Sequence, residues 1–454
     1  MGWFHTLMSS IMGGQKIMDL SVSGWNPGFN VLRTGVGQYS VDITAESLKP
    51  TVGTVKTYYT DAVSGNNSNS GANEANALLN ISTAITKADA DIINVIAKPP
   101  ADRIFWGARG TGGLSPTKNV ILNTIDGLPA YVVKSIKPTW TLNATYANVY
   151  QAAAPTGVSN TDGVIDLRPR LVSGLDFALL TPVADLATVT ATLGSFYHDT
   201  TAGVVYVRAP DDRNLIGDAY MTVPATGGNL SLNALVTETT SRTMWAGNLI
   251  LVGGAAPCIA THLGNSGAPR MKIVFSKCGF YGSLRNANGM GITGAYDVIA
   301  FDCEGGLNSQ DLYNTHSNTS GQCRMVNINA KGKRTGFNIA SPAIANISTG
   351  HEDTITLNVN CDFSDSDGRV VAYIGTSVCM NFGGKVGPSR RTDLAGNSFQ
   401  AGDTAKIYNY EVEVLPGTAT YMFATDGGAN IYNYGMDAYS GYTKVGNVSF
   451  SPLI

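Results

Sequence analysis

The feature that most constrains this chain is a rhythm. The segments KIVFSKCGF, DVIAFDCEG, RMVNINAKG, TLNVNCDFS and SVCMNFGG follow one another between Lys272 and Gly384. Each is a short apolar, β-branched run, then a small residue, then Gly or a polar turn. Alternation within them suits strands with one buried face. The six cysteines fall in the same region, at Cys258, Cys278, Cys303, Cys323, Cys361 and Cys379. Their separations are near 20 or 25 residues, or close to twice that step. No CxxC-type cluster is present, which excludes a cysteine zinc site. A disulfide framework belongs to short secreted chains. A parallel β-solenoid accounts for the spacing, because equivalent positions of successive coils stack along the axis. The expectation is stacked, reduced thiols in a narrow interior. A β-sandwich with unrelated cysteines is the alternative.

Composition agrees with an all-β chain. Charged residues are 14% of the 454, hydrophobic residues 43%, and Gly alone numbers 52. That is a turn-rich β composition and not that of a helical enzyme with a Glu/Lys surface. The formal charge of −3 argues against a general nucleic-acid binder. No run of 18 apolar residues occurs, so membrane insertion is not expected.

Five regions follow along the chain. Residues 1–57 are irregular, with Gly and Pro punctuation, and read as an attachment segment. Within them, Met1–Lys16 lacks the features of a signal peptide and reads as an anchoring peptide; a terminus tucked onto its own chain is the alternative. Residues 58–100 hold the turn-rich SGNNSNSG and then Leu78, Ile81, Ile85 and Ala88, spaced as an amphipathic helix that caps the solenoid. Residues 101–240 read as early coils with an inserted small β-domain, in which SFYHDTTAGVVYVRAPDD predicts a hairpin. Residues 241–400 carry the regular coils, at about 22 residues each, a rod on the order of 30 Å long. The Tyr-rich residues 401–454 predict a small C-terminal β-cap or trimer contact.

Two stretches resemble a known family. YYTDAVSGNNSNSG, followed by a helix and a strand, is similar to the opening of right-handed parallel β-helix proteins of the pectate-lyase-like superfold, in the version found in bacteriophage tailspikes and receptor-binding tail proteins. FDCEGGLNSQDLYNTH and ISTGHEDTITLNVNC resemble the Asp-x-x-Asn-x-His and Ser-Thr-x-His-acid turns of such proteins, with Leu312 where the family has Gly. The resemblance implies a right-handed β-helix and a homotrimer on the virion tail, made in the host cytoplasm. It also implies contact with other tail proteins through residues 1–57 and with a host surface polysaccharide.

The candidate chemistry sits in those two turns. His316 and His351 are one long coil or two short ones apart, with Asp311, Glu352, Asp353, Asp302 and Glu304 nearby in sequence. Paired carboxyls could serve a glycosidase, and a base beside a cation a lyase. The same residues could equally hydrogen-bond tight turns. Tyr281, Tyr296 and Tyr313 could stack on sugar rings or equally be buried, and Lys331, Lys333 and Arg334 with Arg390 and Arg391 could form a basic stripe for an acidic glycan. No metal or cofactor is expected: HEDTI at His351 is not a HExxH zinc motif, and DFSDSDG lacks a closing Glu for calcium. GARGTGG lacks the Lys of a phosphate loop. Polysaccharide attachment without cleavage is read ahead of a depolymerase, and a bacterial surface or secreted β-helix protein is the third reading.

Overall fold

The regular coils turn their first corner in one way. The residue that ends a run of first-face strand adopts a left-handed conformation, at Asn248, Lys277, Asp302, Asn329, Asn360, Gly383, Glu411 and Gly435, with φ between 50° and 63°. Asn, Asp and Gly supply most of these positions because they tolerate that region best. The residue after each corner points inward. Leu249, Cys278, Cys303, Ala330, Cys361, Gly384 and Val412 therefore form one column, fixed by the strand registers that follow them.

In the computed structural model these corners join three long parallel sheets into a right-handed β-helix. The structure describes residues 16–106, 116–135, 137–159, 162–234, 237–283, 286–336, 345–391, 396–417, 421–436 and 443–453. The first face has twelve strands, from Val55–Asp61 to Val448–Ser451, and the second and third faces have nine each. A typical coil runs Met271–Ser276 on the first face, Gly279–Tyr281 on the second and Met290–Thr293 on the third.

Cys278 and Cys303 are vertical neighbours, as the rhythm predicts, and Cys361 shares their column. The other three cysteines do not. Cys258 begins a third-face strand, Cys323 precedes the first-face strand Arg324–Ile328, and Cys379 lies within Val378–Phe382. All six are free and buried. Coils are also longer than expected and unequal: register partners Thr356 and Cys379 bound a short one, Met325 and Thr356 a long one.

The regions differ from the expected plan in four ways. The capping helix is one turn, Ile81–Ile85; Leu78 precedes it in an isolated bridge to Thr60, and Ala88 follows it. The first coil begins at Val55, three residues before the expected residue 58. Among the described residues the Tyr-rich tail forms no separate cap. Its strands Lys406–Tyr410, Asn430–Tyr434 and Val448–Ser451 extend the first face, with Tyr408–Tyr432 and Tyr410–Tyr434 stacked at 4.9 and 5.0 Å. Finally, the N-terminal segment is used by its own chain. Val31–Gly35 and Gln38–Val41 form a small antiparallel sheet with Lys16–Ile17. Met18, Phe29, Val31, Tyr39 and Ala45 pack on the outer apolar side of the first face against Trp245, Val274, Val326, Leu357 and Phe382. Trp245 Nε1 donates to the Ala45 carbonyl at 2.8 Å, and Arg33 forms a bidentate pair with Glu411. An exposed apolar face is a reason to self-associate; here one chain covers it. Residues 1–15 and the GARGTGG stretch lie outside the described residues.

Between Lys134 and Leu230 the chain leaves the solenoid. A five-stranded sheet built around the hairpin Ser195–Asp199 and Val204–Arg208 encloses its own core of Trp140, Phe196, Val205, Val207 and Met221. Ile165, Leu167 and Phe177 fasten this unit to Tyr131, Val133, Ile250 and Tyr281 of the second face.

Inside the solenoid runs a polar column. Asn327, Asn358, Asn381, Asn409 and Asn433 are register partners on the first face. Each Nδ2 donates to the next Oδ1 at 2.7–2.8 Å, and Asn433 Nδ2 donates to the Ser449 carbonyl at 2.9 Å. An amide can sit in an apolar interior when donor and acceptor are both satisfied. Replacing Asn381 with Ala strands a donor on Asn358 and an acceptor on Asn409. Asn381→Ala should lower the unfolding free energy by about 2–4 kcal/mol, measured as a lower urea midpoint.

Candidate functional site

The third face brings the two resembling turns together. Tyr313–His316 and Ser348–His351 are paired in register, so His316 lies directly beside His351. Their rings stack at 4.2 Å between centroids and 8° between planes. Glu352 follows at φ 62°, and this left-handed turn sends its carboxylate back to the previous coil. There it accepts from the Ser317 main-chain N–H at 3.2 Å, and Nδ1 of His316 lies 3.2 Å from its Oε2. Burial, with His316 alongside, holds His351 down at about 4. Asp353 is not part of this cluster: its side chain is exposed, and its main-chain carbonyl takes a hydrogen bond from Gln322.

Asp311 lies two residues before the same strand and is buried. It accepts from Asn314 Nδ2 at 2.7 Å, from the Asn346 N–H at 2.7 Å and from Asn346 Nδ2 at 2.9 Å. These bonds and the nearby His316 favour the ionised form, but burial outweighs them and pushes the carboxyl up to about 6. Asp311, Asn346, Arg369 and Asn397 occupy one corner column, each two residues before a third-face strand. Arg369 Nε, Asn314 Oδ1 and Asn288 Oδ1 are buried without a hydrogen-bond partner among the described residues. Beyond them Gln400 links Asn397 to Asp426 at 2.8 and 3.1 Å. Unsatisfied polar atoms beside a carboxyl raised by burial mark this buried corner as the candidate site. No His, Cys, Asp and Glu grouping fit for a metal ion occurs among the described residues.

The expected sugar-binding residues divide. Tyr313 is a correction: it points into the solenoid core beside Phe280 and Phe363, with its hydroxyl on the Lys331 carbonyl. Its place at an inward strand position decides that. Tyr281 and Lys333 line a cleft of about 560 Å³ between the second face and the inserted unit, with Tyr131, Arg170, Asp176, Glu304, Lys331 and Asp362. Arg334 does not line it; Arg334 and Arg390 flank Asp365 at 4.0 and 3.6 Å. The basic stripe is absent, because Lys331 lies in register between Glu304 and Asp362, and Lys333 pairs with Asp176 at 2.5 Å.

The sequence reading missed Asn346, Arg369, Gln400 and Asp426 on the third face, and Arg170 and Asp176 in the cleft; Glu304, grouped with the histidine turns by sequence, lines the cleft instead. Aligning the coils would have flagged the corner column. Nothing in the local sequence joins Arg170 to Glu304.

The sequence matches no protein-family model and no curated protein. Solved structures are similar to this chain to different degrees. One described as a glycoside hydrolase superposes with a TM-score of 0.51 at 10% identity, covering 88% of this chain and 96% of that one. The GH136 lacto-N-biosidase from Eubacterium ramulus gives 0.39 at 8%, over 88% and 68%. XylC in complex with xylose gives 0.33 at 8%, over 87% and 86%. The chain is a parallel β-solenoid with glycoside hydrolases among its structural neighbours.

Because unfolded His titrates near 6.5 and native His351 near 4, the unfolded chain binds the extra proton between those values. Stability carried by His351 is therefore full above about 6.5 and falls as pH drops toward 4. Thermal unfolding of His351→Gln should show a shallower loss of Tm over that window than the parent chain.

Proposed function

We propose that this protein acts on a polysaccharide held along the third face, with Asp311 as proton donor and Glu352 as the ionised carboxylate. The observation that carries the reading is the raised Asp311 carboxyl, at about 6, beside orphaned polar atoms and the His316–His351 stack. A glycosidase needs one carboxyl that keeps its proton near neutral pH and one that does not. The fold shared with a structure described as a glycoside hydrolase is compatible with such chemistry. His316 orients Glu352.

A second reading has its own observation. Both Asp311 oxygens already accept hydrogen bonds, an arrangement suited to holding a turn. On that reading the chain is a tailspike-type attachment protein that grips a host surface polysaccharide without cutting it. The likeness of its two histidine turns to those of tail proteins supports this.

Reducing ends released from bacterial surface polysaccharides separate the two. Cleavage should follow the protonated fraction of Asp311 and decline as pH rises through about 6. Asp311→Asn should lower the rate by at least about a hundredfold while leaving polysaccharide binding in place. Binding with no reducing ends at any pH leaves the attachment reading standing and removes the hydrolase.

The tail reading also implies a homotrimer. Sedimentation equilibrium should then give the mass of three chains. A single-chain mass would remove the virion role and leave the sugar site untouched.

A further inference from the structure

The second face carries an ordered row of charge. Glu304, Lys331, Asp362, Lys385 and Glu413 are successive register partners, so opposite charges alternate from coil to coil. Its first three members form one wall of the 560 Å³ cleft, and the inserted unit forms the other. That volume lies in the range of small-molecule sites. Two ion pairs cross from wall to wall: Arg170 reaches Glu304, and Asp176 reaches Lys333. Arg170 also donates to the Tyr281 hydroxyl at 3.2 Å and lies over the rings of Phe177 and Tyr281. These contacts fix the width of the cleft. Lys331 and Asp362 are exposed, adjacent in register, and in no ion pair among the described residues.

We propose that this cleft is a second carbohydrate site, separate from the third face, and that it takes an uncharged oligosaccharide. The lining holds three cations, Arg170, Lys331 and Lys333, and three carboxylates, Asp176, Glu304 and Asp362. With no net field, it has no hold on an anionic glycan or a phosphate, which need uncompensated cations. Sugar hydroxyls both donate and accept, so a carboxylate beside an ammonium matches neighbouring hydroxyls. The Tyr131 and Tyr281 edges supply apolar contact for the ring faces. Asp362 accepts from two hydroxyls, and Lys331 donates to a third. The choice of a sugar as ligand rests on the proposed function; the cleft, its charge count and its separation from Asp311 do not.

The test is calorimetry with cellohexaose, xylohexaose, maltohexaose and mannohexaose, and with hexagalacturonate as the acidic probe. At least one neutral hexaose should bind, and Lys331→Ala with Asp362→Ala should weaken it about tenfold or more. Both positions are exposed, and an unchanged unfolding midpoint checks that the double variant folds. Asp311→Asn should bind the hexaose as the parent does. The added hexaose should slow amide exchange in residues 168–176 and 304–308. The proposal is overturned by preference for hexagalacturonate, by no neutral binding up to about 10 mM, or by a double variant that binds normally. Reducing-end release is read separately, so loss of the cleft site and loss of the third-face activity are distinguishable.

Discussion

Main-chain hydrogen bonding between one coil and the next is the constraint from which the rest follows. Once Gly279 pairs with Glu304 and Glu304 with Lys331, every residue of those coils has an assigned neighbour above and below. A parallel sheet has slanted, evenly spaced bonds and no free register. The left-handed corner after eight of the twelve first-face strands keeps that register despite unequal coil lengths, because extra residues are placed elsewhere. The longest addition, the inserted unit, leaves at Lys134 and returns at Leu230 without disturbing the first face, where Asn119–Thr124 pairs directly with Thr243–Gly247.

The division of labour among faces follows from what covers each one. The first face is apolar on its outer side, which the N-terminal sheet seals, and carries the asparagine column on its inner side. The second is partly roofed by the inserted unit. The third carries polar residues in columns: the partly exposed His316 with His351, and the buried pairs Asn314 with Thr349 and Asp311 with Asn346. Chemistry can collect there because side chains in a column are placed by backbone register instead of by flexible loops, which is the rigidity a site needs.

Much of this was legible in the sequence, though unevenly. The strand rhythm gave the solenoid, and Cys278 with Cys303 gave one true column. Equal spacing misled for Cys258, Cys323 and Cys379, because a small interior residue suits any inward position and spacing alone does not say which. A better signal lay in the triplets VNI, LNV, MNF, YNY and YNY, which mark the asparagine column at the fourth position of five first-face strands. The proximity of His316 and His351 was foreseen, while Tyr313 went astray because inward and outward positions differ by one residue. The N-terminal sheet had no readable partner: Val31 and Tyr39 meet residues up to several hundred positions away, and no local pattern encodes that.

The asparagine column has a direction. All its amides point the same way, each nitrogen toward the C-terminal coils, and the preceding coil offers Ala300 in place of another amide. Asn327 Oδ1 is consequently left buried with no donor among the described residues. Aligned amide dipoles add head to tail and polarise one another. The solenoid's interior thus has a negative pole at Asn327 and a positive pole quenched at Ser449, an internal field parallel to the axis that no surface charge of the molecule would reveal.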